Sequence, residues 1–84
     1  MPKSVFSNRY RAFLAGLIEA RRRAALTQVD LAARLDKPQS FVSKVERGER
    51  RLDFVEFVDW AQAIGVDELD LAAAILGDAA FQHP

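Results

Sequence analysis

The sequence predicts a compact all-α domain of five helices, and three observations lead to this fold class. Apolar residues recur at helical spacing in five successive segments, each bounded by residues that cap or end a helix. Half of the 84 residues are hydrophobic, which suffices for one small core and is not typical of disorder. Two of the segments are short and are joined by only three residues, as in helices that cross around a tight turn.

The first helix is expected from about Arg9 to Ala24, at the start of a domain that spans residues 9–77. Ser7 or Asn8 is suited to cap it, because a short polar side chain accepts a hydrogen bond from the first turn. The residues expected on its inward side are Phe13, Leu14, Leu17, Ile18 and Arg21. The preceding residues, 1–8, show no periodicity and are expected to form a flexible arm.

A pair of short helices follows, at about residues 27–47. Thr27 is predicted to cap the first of them, with Asp30 in the first turn, where a carboxylate stabilises the helix dipole. The turn Asp36-Lys37-Pro38 begins with a residue that tolerates a positive φ. It ends with a proline, which is accepted at the start of the next helix and not in a helix interior.

The third helix, from about Gln39 to Arg47, is predicted to have one apolar and one polar side. Val42 and Val45 are expected to seat it on the core, and Gly48 to end it. Its outward residues are Gln39, Ser40, Ser43, Lys44 and Arg47. A face of short polar side chains and cations suits base edges and phosphates in a major groove. A solvated helix in an ordinary helical bundle is the alternative.

The fourth helix is predicted from Phe54 to Ile64, capped by Asp53 and ended by Gly65. Its aromatic residues lie at helical spacing, which favours core packing over a stacking platform for a ligand. The residues expected to be buried are Phe54, Phe57, Val58, Trp60, Ala61 and Ile64.

The fifth helix, from Val66 to about Gly77, has more apolar surface than one small core covers. One strip is Leu69, Ala72, Ala73 and Leu76. A second strip, Leu71 and Ile75, is expected to be exposed and to form, with Phe81, the interface of a twofold homodimer. A monomeric domain with a loosely packed tail is the alternative, and residues 78–84 are expected to be flexible.

Charge is segregated along the chain although the net charge is zero. All twelve Lys and Arg lie between Lys3 and Arg51, together with five acidic residues, whereas the rest of the chain holds seven acidic residues and no basic one. The two parts therefore carry net charges of +7 and −7. Such asymmetry indicates a basic surface for a polyanion and an acidic surface turned away from it.

The stretch from Leu26 to Gly48 resembles the helix-turn-helix of the phage repressor and Cro-type transcriptional regulators, the XRE family. The matching residues are Leu26-Thr27-Gln28, Leu31-Ala32, Leu35, Gln39-Ser40, Val42-Ser43-Lys44, Val45-Glu46 and Arg47-Gly48-Glu49-Arg50. The resemblance covers roughly positions 10 to 72 and implies a lambda-repressor-like fold. Asp36 and Pro38 depart from the family pattern, which has Gly and then Ser or Thr, but both suit a tight turn.

The resemblance implies a sequence-specific transcriptional regulator, a repressor or an activator, that places helix 39–47 in the major groove of double-stranded DNA. Gln39 is expected to read a base, because its amide can bond to N6 and N7 of adenine. Ser40 is expected at a base or a phosphate, and Lys44 at a guanine or a phosphate. Phe41 either packs on a thymine methyl group or is partly buried against the second helix.

Contacts to the DNA backbone are expected from a set of polar and cationic side chains around this helix. They are Gln28, Lys37, Ser43, Arg47, Arg50 and Arg51. For Gln28 the family implies a phosphate clamp at a helix N-terminus. Lys3 in the arm either touches a phosphate or remains in solvent. Few base contacts per domain imply two half-sites, and hence a dimer on an inverted-repeat operator.

Arg21 lies on the apolar side of the first helix, where a charge needs a partner. In the family, the equivalent arginine pairs with a glutamate at the end of the recognition helix, here Glu46. An Arg21–Glu46 salt bridge with a structural role is therefore expected. An exposed Arg21 and a free Glu46 are the alternative.

Several function classes are disfavoured by the residues present. The chain has no cysteine and a single histidine, His83, so neither a metal site nor a cofactor is expected. It has no nucleophile–base pair and no phosphate-binding glycine loop, so an enzyme is not expected. No apolar run approaches the roughly 20 residues that span a bilayer, and no secretory signal is present. A cytoplasmic, nucleoid-associated protein of bacterial or phage origin is expected. An antitoxin-like module, which binds a protein and autoregulates through DNA, is the alternative function.

Overall fold

The computed structural model describes residues 7–82, and within them it is entirely helical and without strands. Its helices are α1 (Asn8–Arg23), α2 (Gln28–Leu35), α3 (Gln39–Glu46), α4 (Phe54–Ile64), α5 (Glu68–Leu76) and α6 (Ala79–Gln82). The all-α fold is confirmed, and each of the five expected helices is present with bounds within two residues of those predicted. Most of the expected N-terminal arm lies outside the described residues, and α1 already begins at Asn8.

Side-chain caps set where the helices begin. The Ser7 hydroxyl accepts a hydrogen bond from the Tyr10 backbone N–H at the start of α1. Capping boxes open α2 and α4, since Thr27 and Asp30 satisfy one another's backbone N–H groups, as do Asp53 and Glu56. Each box supplies acceptors for N–H groups that the first helical turn leaves without partners.

The turn between α2 and α3 has the conformation that its residues predict. Asp36 is left-handed, with φ 56° and ψ 45°, and the N–H of Lys37 donates to the carbonyl of Ala32 at 3.0 Å. Pro38 then serves as the extended N-terminal cap of α3, with ψ 155°. Gly48, at φ 80°, reverses the chain after α3. The two helices can therefore pack closely against one another and present α3 at the surface.

The core lies between α1 and the remaining helices, with α2 packed between α3 and α4. Its fully buried side chains are Leu17, Leu31, Val42, Val45 and Trp60. Ala32 is also buried, which lets the α2 and α3 backbones approach. Val42 and Val45 are thus the two residues through which α3 is seated on the core, as their spacing predicts.

Helix α4 corrects one expectation about the aromatic residues. Trp60, Ala61 and Ile64 are buried, but Phe54 is 77% exposed. Phe54 is the first residue of α4, directly after the capping residue Asp53. Its side chain lies at the end of the helix, outside the part of α4 that packs on the core. The aromatic run is therefore mainly core, with one ring left on the surface.

Helix α5 uses the opposite apolar strip from the one expected. Leu71 and Ile75 are buried at 7% and 5% exposure, whereas Leu69 and Leu76 are exposed. A Cβ atom on Gly16 of α1 would lie 2.6 Å from Cγ1 of Ile75, so Ile75 fills the space that the missing side chain leaves. The expectation that Leu71 and Ile75 form a free surface is therefore wrong. Ile75 packs into the gap beside Gly16, and both residues belong to the core.

The expected flexible tail is also replaced, in part, by a helix. The side chain of Asp78 accepts a hydrogen bond from the N–H of Ala80 at 2.8 Å and starts α6, which packs on α1. Phe81 packs against the core cluster, and its carbonyl accepts a 2.8 Å hydrogen bond from Arg9 Nε. Phe81 therefore belongs to the fold of the single chain, while the last two residues lie outside the described part.

Candidate nucleic-acid interface

Helix α3 carries a polar face that no other described helix covers. Val42 and Val45 hold its inner side, and Gln39, Ser40, Lys44 and Arg47 are exposed on its outer side. Ser43 is half-buried between the two sides. Four of the five residues that the sequence predicts on the outward side of α3 are thus exposed, and Ser43 is the exception.

A buried ion pair anchors the end of α3 to α1. Arg21 Nε and Nη2 donate to the two carboxylate oxygens of Glu46 at 2.7 and 3.0 Å, and the two residues are 8% and 9% exposed. Arg21 Nη1 also donates to the carbonyl of Leu26 at 2.8 Å. The expected pairing of Arg21 with Glu46 is present, and it ties α3 to α1 and to the loop before α2.

A chain of hydrogen bonds leads from this ion pair to the surface. Gln28 Nε2 donates to Glu46 Oε1 at 2.9 Å, and Gln39 Nε2 donates to Gln28 Oε1 at 2.7 Å. A carboxylate only accepts, so Glu46 requires the Gln28 amide to present its nitrogen inward and its oxygen toward Gln39. The amide of Gln39 is oriented in turn. Its oxygen and one N–H remain available, which is the pair of groups that adenine N6 and N7 would complement.

Phe41 is half-buried and packs against the core cluster, which is the second of its two expected positions. Two cations lie against its ring: Lys37 Nζ at 5.4 Å and Arg50 Cζ at 5.0 Å from the centroid. Such contacts restrain flexible cationic side chains. Phe41 therefore links the turn before α3 to the loop after it and holds a cation from each.

Several cations at this surface are engaged by carboxylates of the same chain. Arg47 Nε lies 2.8 Å from Glu49 Oε2, and Arg50 Nη1 lies 2.6 Å from Glu56 Oε1. The hydrogen bond from Arg50 lowers the pKa of Glu56 below its ordinary value, and the backbone N–H of Asp53 lowers it further. Lys44, in contrast, is exposed and has no salt bridge within residues 7–82.

The remaining cation of the loop, Arg51, lies over the ring of Tyr10, with Cζ 4.2 Å from the centroid. Direct contacts thus link Gln28 with Gln39, and Phe41 with Lys37 and Arg50, whereas Arg51 lies against α1. The exposed acidic side chains Asp59, Asp67, Asp70 and Asp78 lie on α4, α5 and the turns beside α5. Helix α3 packs mainly on α2 and α1 rather than on the helices that carry these four residues.

Within 7–82 no group of three or more His, Cys, Asp or Glu side chains is arranged to hold a metal ion. No helix in the described part of the chain is long and apolar enough to cross a membrane. The polar face of α3 and the hydrogen bonds that support it are the candidate site.

Comparisons with known proteins decide the family. A family model described as helix-turn-helix matches residues 17–71, more than half of the chain. The solved structure of an XRE-family like protein from Pseudomonas syringae pv. tomato str. DC3000 is 49% identical in sequence. That match covers 90% of this chain and 88% of the other, with a TM-score of 0.78.

The chain belongs to the XRE family. The resemblance that the sequence suggests is thereby confirmed, and the protein is a DNA-binding transcription regulator of the helix-turn-helix type. No curated protein matches the chain. Within an XRE-family regulator, α2 and α3 are the two helices of the helix-turn-helix, and the matched residues include both of them completely.

Proposed function

We propose that this XRE-family protein represses or activates transcription by binding an inverted-repeat operator as a homodimer, with α3 in the major groove. The observation that carries the proposal is the hydrogen-bonded chain Arg21–Glu46–Gln28–Gln39, which runs from the core to the exposed face of α3. A base-reading side chain needs a fixed orientation, because a freely rotating amide fits adenine and its competitors alike.

Gln39 is the principal base reader in this proposal. Its amide oxygen accepts from adenine N6, and its second Nε2 hydrogen donates to adenine N7, while the first stays on Gln28. Ser40 and Lys44, exposed on the same face, contact a neighbouring base or a phosphate. Phe41 has no part in base reading, since its ring is already engaged by Lys37 and Arg50.

The backbone contacts of the proposal come from the surrounding cations and polar groups. Gln28 is the first residue of α2, where the helix N-terminus favours a phosphate. Lys37 and Arg50, placed on either end of α3 by Phe41, and Ser43, Arg47 and Arg51 complete the set. These contacts fix the orientation of α3 in the groove and contribute affinity that does not depend on sequence.

The dimer surface is proposed on α5 and the start of α4, with the exposed strip in place of the buried one. Leu69 and Leu76 are 75% and 50% exposed on α5, and Leu76 shares an apolar cleft with Phe54. The cleft has a volume of about 290 Å³, and Phe57 and Phe81 also line it. Helix α3 packs mainly on α2 and α1 rather than on α5. In this proposal a second copy therefore covers α5 and leaves the polar face of α3 to DNA.

The size of the domain suits such a pairing. The chain measures 32 × 29 × 22 Å along its principal axes. Half-sites one turn of the duplex apart have centres separated by roughly 34 Å. Two domains of this size in contact can therefore place their α3 helices in successive major grooves on one side of the DNA.

The test is selection of bound fragments from a genomic pool, followed by footprinting of the enriched sites. Wild type is compared with Gln39→Ala and with Gln62→Ala, a matched control at an exposed position of α4. We expect a palindromic footprint, and for Gln39→Ala a loss of about 10-fold or more in discrimination at one base pair of each half-site. Gln62→Ala should behave as wild type. Binding without an enriched motif, or equal weakening on every sequence by Gln39→Ala, would contradict the assignment.

A further inference from the structure

Arg47 is held by Glu49 in the geometry in which a guanidinium binds a phosphate. Its Nε and Nη2 donate to the two carboxylate oxygens of Glu49 at 2.8 and 3.3 Å. Its Nη1 donates to the hydroxyl of Ser43. A carboxylate and a phosphate offer the guanidinium fork a similar pair of oxygens. Glu49 thus occupies the Nε and Nη2 edge of Arg47, one edge through which an arginine binds a phosphate.

Both members of the pair are charged at neutral pH, and their exposure leaves the pair open to displacement. The hydrogen bond from Arg47 lowers the pKa of Glu49 below its ordinary value, and the charge of Lys44 lowers it further, so Glu49 is ionised at neutral pH. Both side chains are about half exposed, at 54% and 55%. Ion pairs in water are screened and weak, so a duplex with many phosphates competes for the arginine effectively.

We propose that Glu49 is an intramolecular competitor of the DNA phosphate for Arg47 and thereby limits the affinity of this regulator for any duplex. The inference rests on the proposed function, because it requires Arg47 to face the DNA backbone. Any complex in which Nε and Nη2 of Arg47 bind one phosphate together must first separate them from Glu49. The free energy of separating the two side chains opposes binding to operator and non-operator DNA equally. Glu49 therefore affects the affinity and its salt dependence, while the base contacts determine which sequence is preferred.

Glu49 is a cleaner position for a test than the neighbouring carboxylate that pairs with Arg50. Glu56 also accepts a hydrogen bond from the N–H of Asp53 at 3.0 Å and so caps α4. Substitution there would alter the stability of a helix as well as the charge. The side chain of Glu49 bonds to Arg47 alone within residues 7–82, in the loop between α3 and α4.

The experiment measures the dissociation constant as a function of salt for a selected operator and for a random-sequence duplex. Glu49→Gln is compared with Glu19→Gln, which also removes one negative charge from an exposed arginine pair, but on α1. Glu49→Gln is also made in an Arg47→Ala background. We expect Glu49→Gln to bind both duplexes about 3- to 5-fold more tightly, as expected when an exposed pair is lost. Its slope of log affinity against log salt should be steeper by up to about one unit.

The controls distinguish competition between Glu49 and phosphate for Arg47 from a general effect of removing one negative charge. Glu19→Gln should follow wild type, and Glu49→Gln should have no effect once Arg47 is alanine. Equal gains in Glu49→Gln and Glu19→Gln, or a gain that persists without Arg47, would overturn the inference while leaving the DNA-binding function intact. Failure of wild type to bind any duplex would instead contradict the proposed function itself.

Discussion

Arg21 shows how one charged residue can lie in a small apolar core. Three of its guanidinium hydrogen bonds are satisfied, two by Glu46 and one by the carbonyl of Leu26. Glu46 accepts from Gln28 as well, so both charges are paired and hydrogen-bonded despite their burial. The residue therefore has two roles: it compensates Glu46, and through Gln28 it supports the orientation of Gln39.

Arg21→Met should lower the free energy of unfolding by about 3–5 kcal/mol, because it leaves the carboxylate of Glu46 buried without its cation. The double variant Arg21→Met/Glu46→Leu should recover most of that loss, since an apolar pair of similar volume needs no compensation. Urea unfolding followed by circular dichroism measures both. The double variant should still discriminate poorly at the base that Gln39 reads, because Gln28 has lost its acceptor.

A double variant that remains as unstable as Arg21→Met would show that the pair does more for the fold than compensate two charges. A double variant with wild-type base discrimination would show that the chain through Gln28 does not orient Gln39. The two outcomes are independent, since one is read from unfolding and the other from DNA binding.

At the scale of elements, the connections around α2 rely on residues in the left-handed region. Ala25, between α1 and α2, has φ 59°, and Asp36, between α2 and α3, has φ 56°. Around Ala25 the N–H of Leu26 donates to the carbonyl of Arg21, and the N–H of Ala25 to that of Arg22. This is the Schellman arrangement, in which glycine is preferred at the position that Ala25 occupies.

Ala25→Gly should therefore raise the free energy of unfolding by about 1 kcal/mol, because the Cβ of alanine is sterically unfavourable in this conformation. The side chain of Ala25 is exposed and makes no core contact that the change would remove. The matched control is Ala15→Gly, the same chemical change at an exposed interior position of α1. That change should lower stability by about 1 kcal/mol. Thermal unfolding of the two variants gives shifts of opposite sign if the cap at Ala25 is strained, and shifts of the same sign would contradict this.

At the scale of the whole molecule, the exposed cations and the exposed leucines are carried by different helices. Lys37, Lys44, Arg47 and Arg50 lie on α3 or beside its ends, whereas Leu76 of α5 lies with Phe54 beside the apolar cleft and Leu69 is exposed on the same helix. Burial of Leu69 and Leu76 by a second copy would remove the largest exposed apolar side chains of α5 from water. The same pairing would give each operator two recognition helices.

Leu76→Glu should convert the proposed dimer to a folded monomer, because it puts a charge on the contact surface without entering the core. Affinity for a full inverted repeat should fall by about 100-fold, toward that for a half-site, since the two domains no longer bind as one unit. Sedimentation equilibrium and binding to full and half operators measure the two effects. Gln62→Glu adds the same charge at another exposed position and should change neither. A wild-type protein that occupies the full repeat as independent monomers would contradict the dimer.

The sequence by itself determined the first five helices, most of their caps and the helix-turn-helix, but not α6. These features depend on neighbours within about four residues along the chain, such as Thr27 with Asp30 or the proline that opens α3. It also determined which residues α3 exposes, because Val42 and Val45 define the inner side at helical spacing. The pairing of Arg21 with Glu46 followed from the family resemblance rather than from spacing.

Only the tertiary structure decided how side chains distant in sequence are combined. Gln39 and Gln28 are 11 residues apart, and Gln28 and Glu46 are 18 apart, so no local pattern indicates their hydrogen bonds. Glu49 had no predicted role, although an acid two residues after Arg47 in a cationic loop was the available signal.

The two apolar strips of α5 show the same limit most clearly. Both have helical spacing, so periodicity alone does not predict which of the two strips is buried. Ile75 packs into the gap beside Gly16 on α1. Leu71 lies on the same side of α5 and is buried with it, whereas Leu69 and Leu76 are exposed. Local sequence sets which residues share a face, but which face is buried depends on the shape of the helix that packs against it.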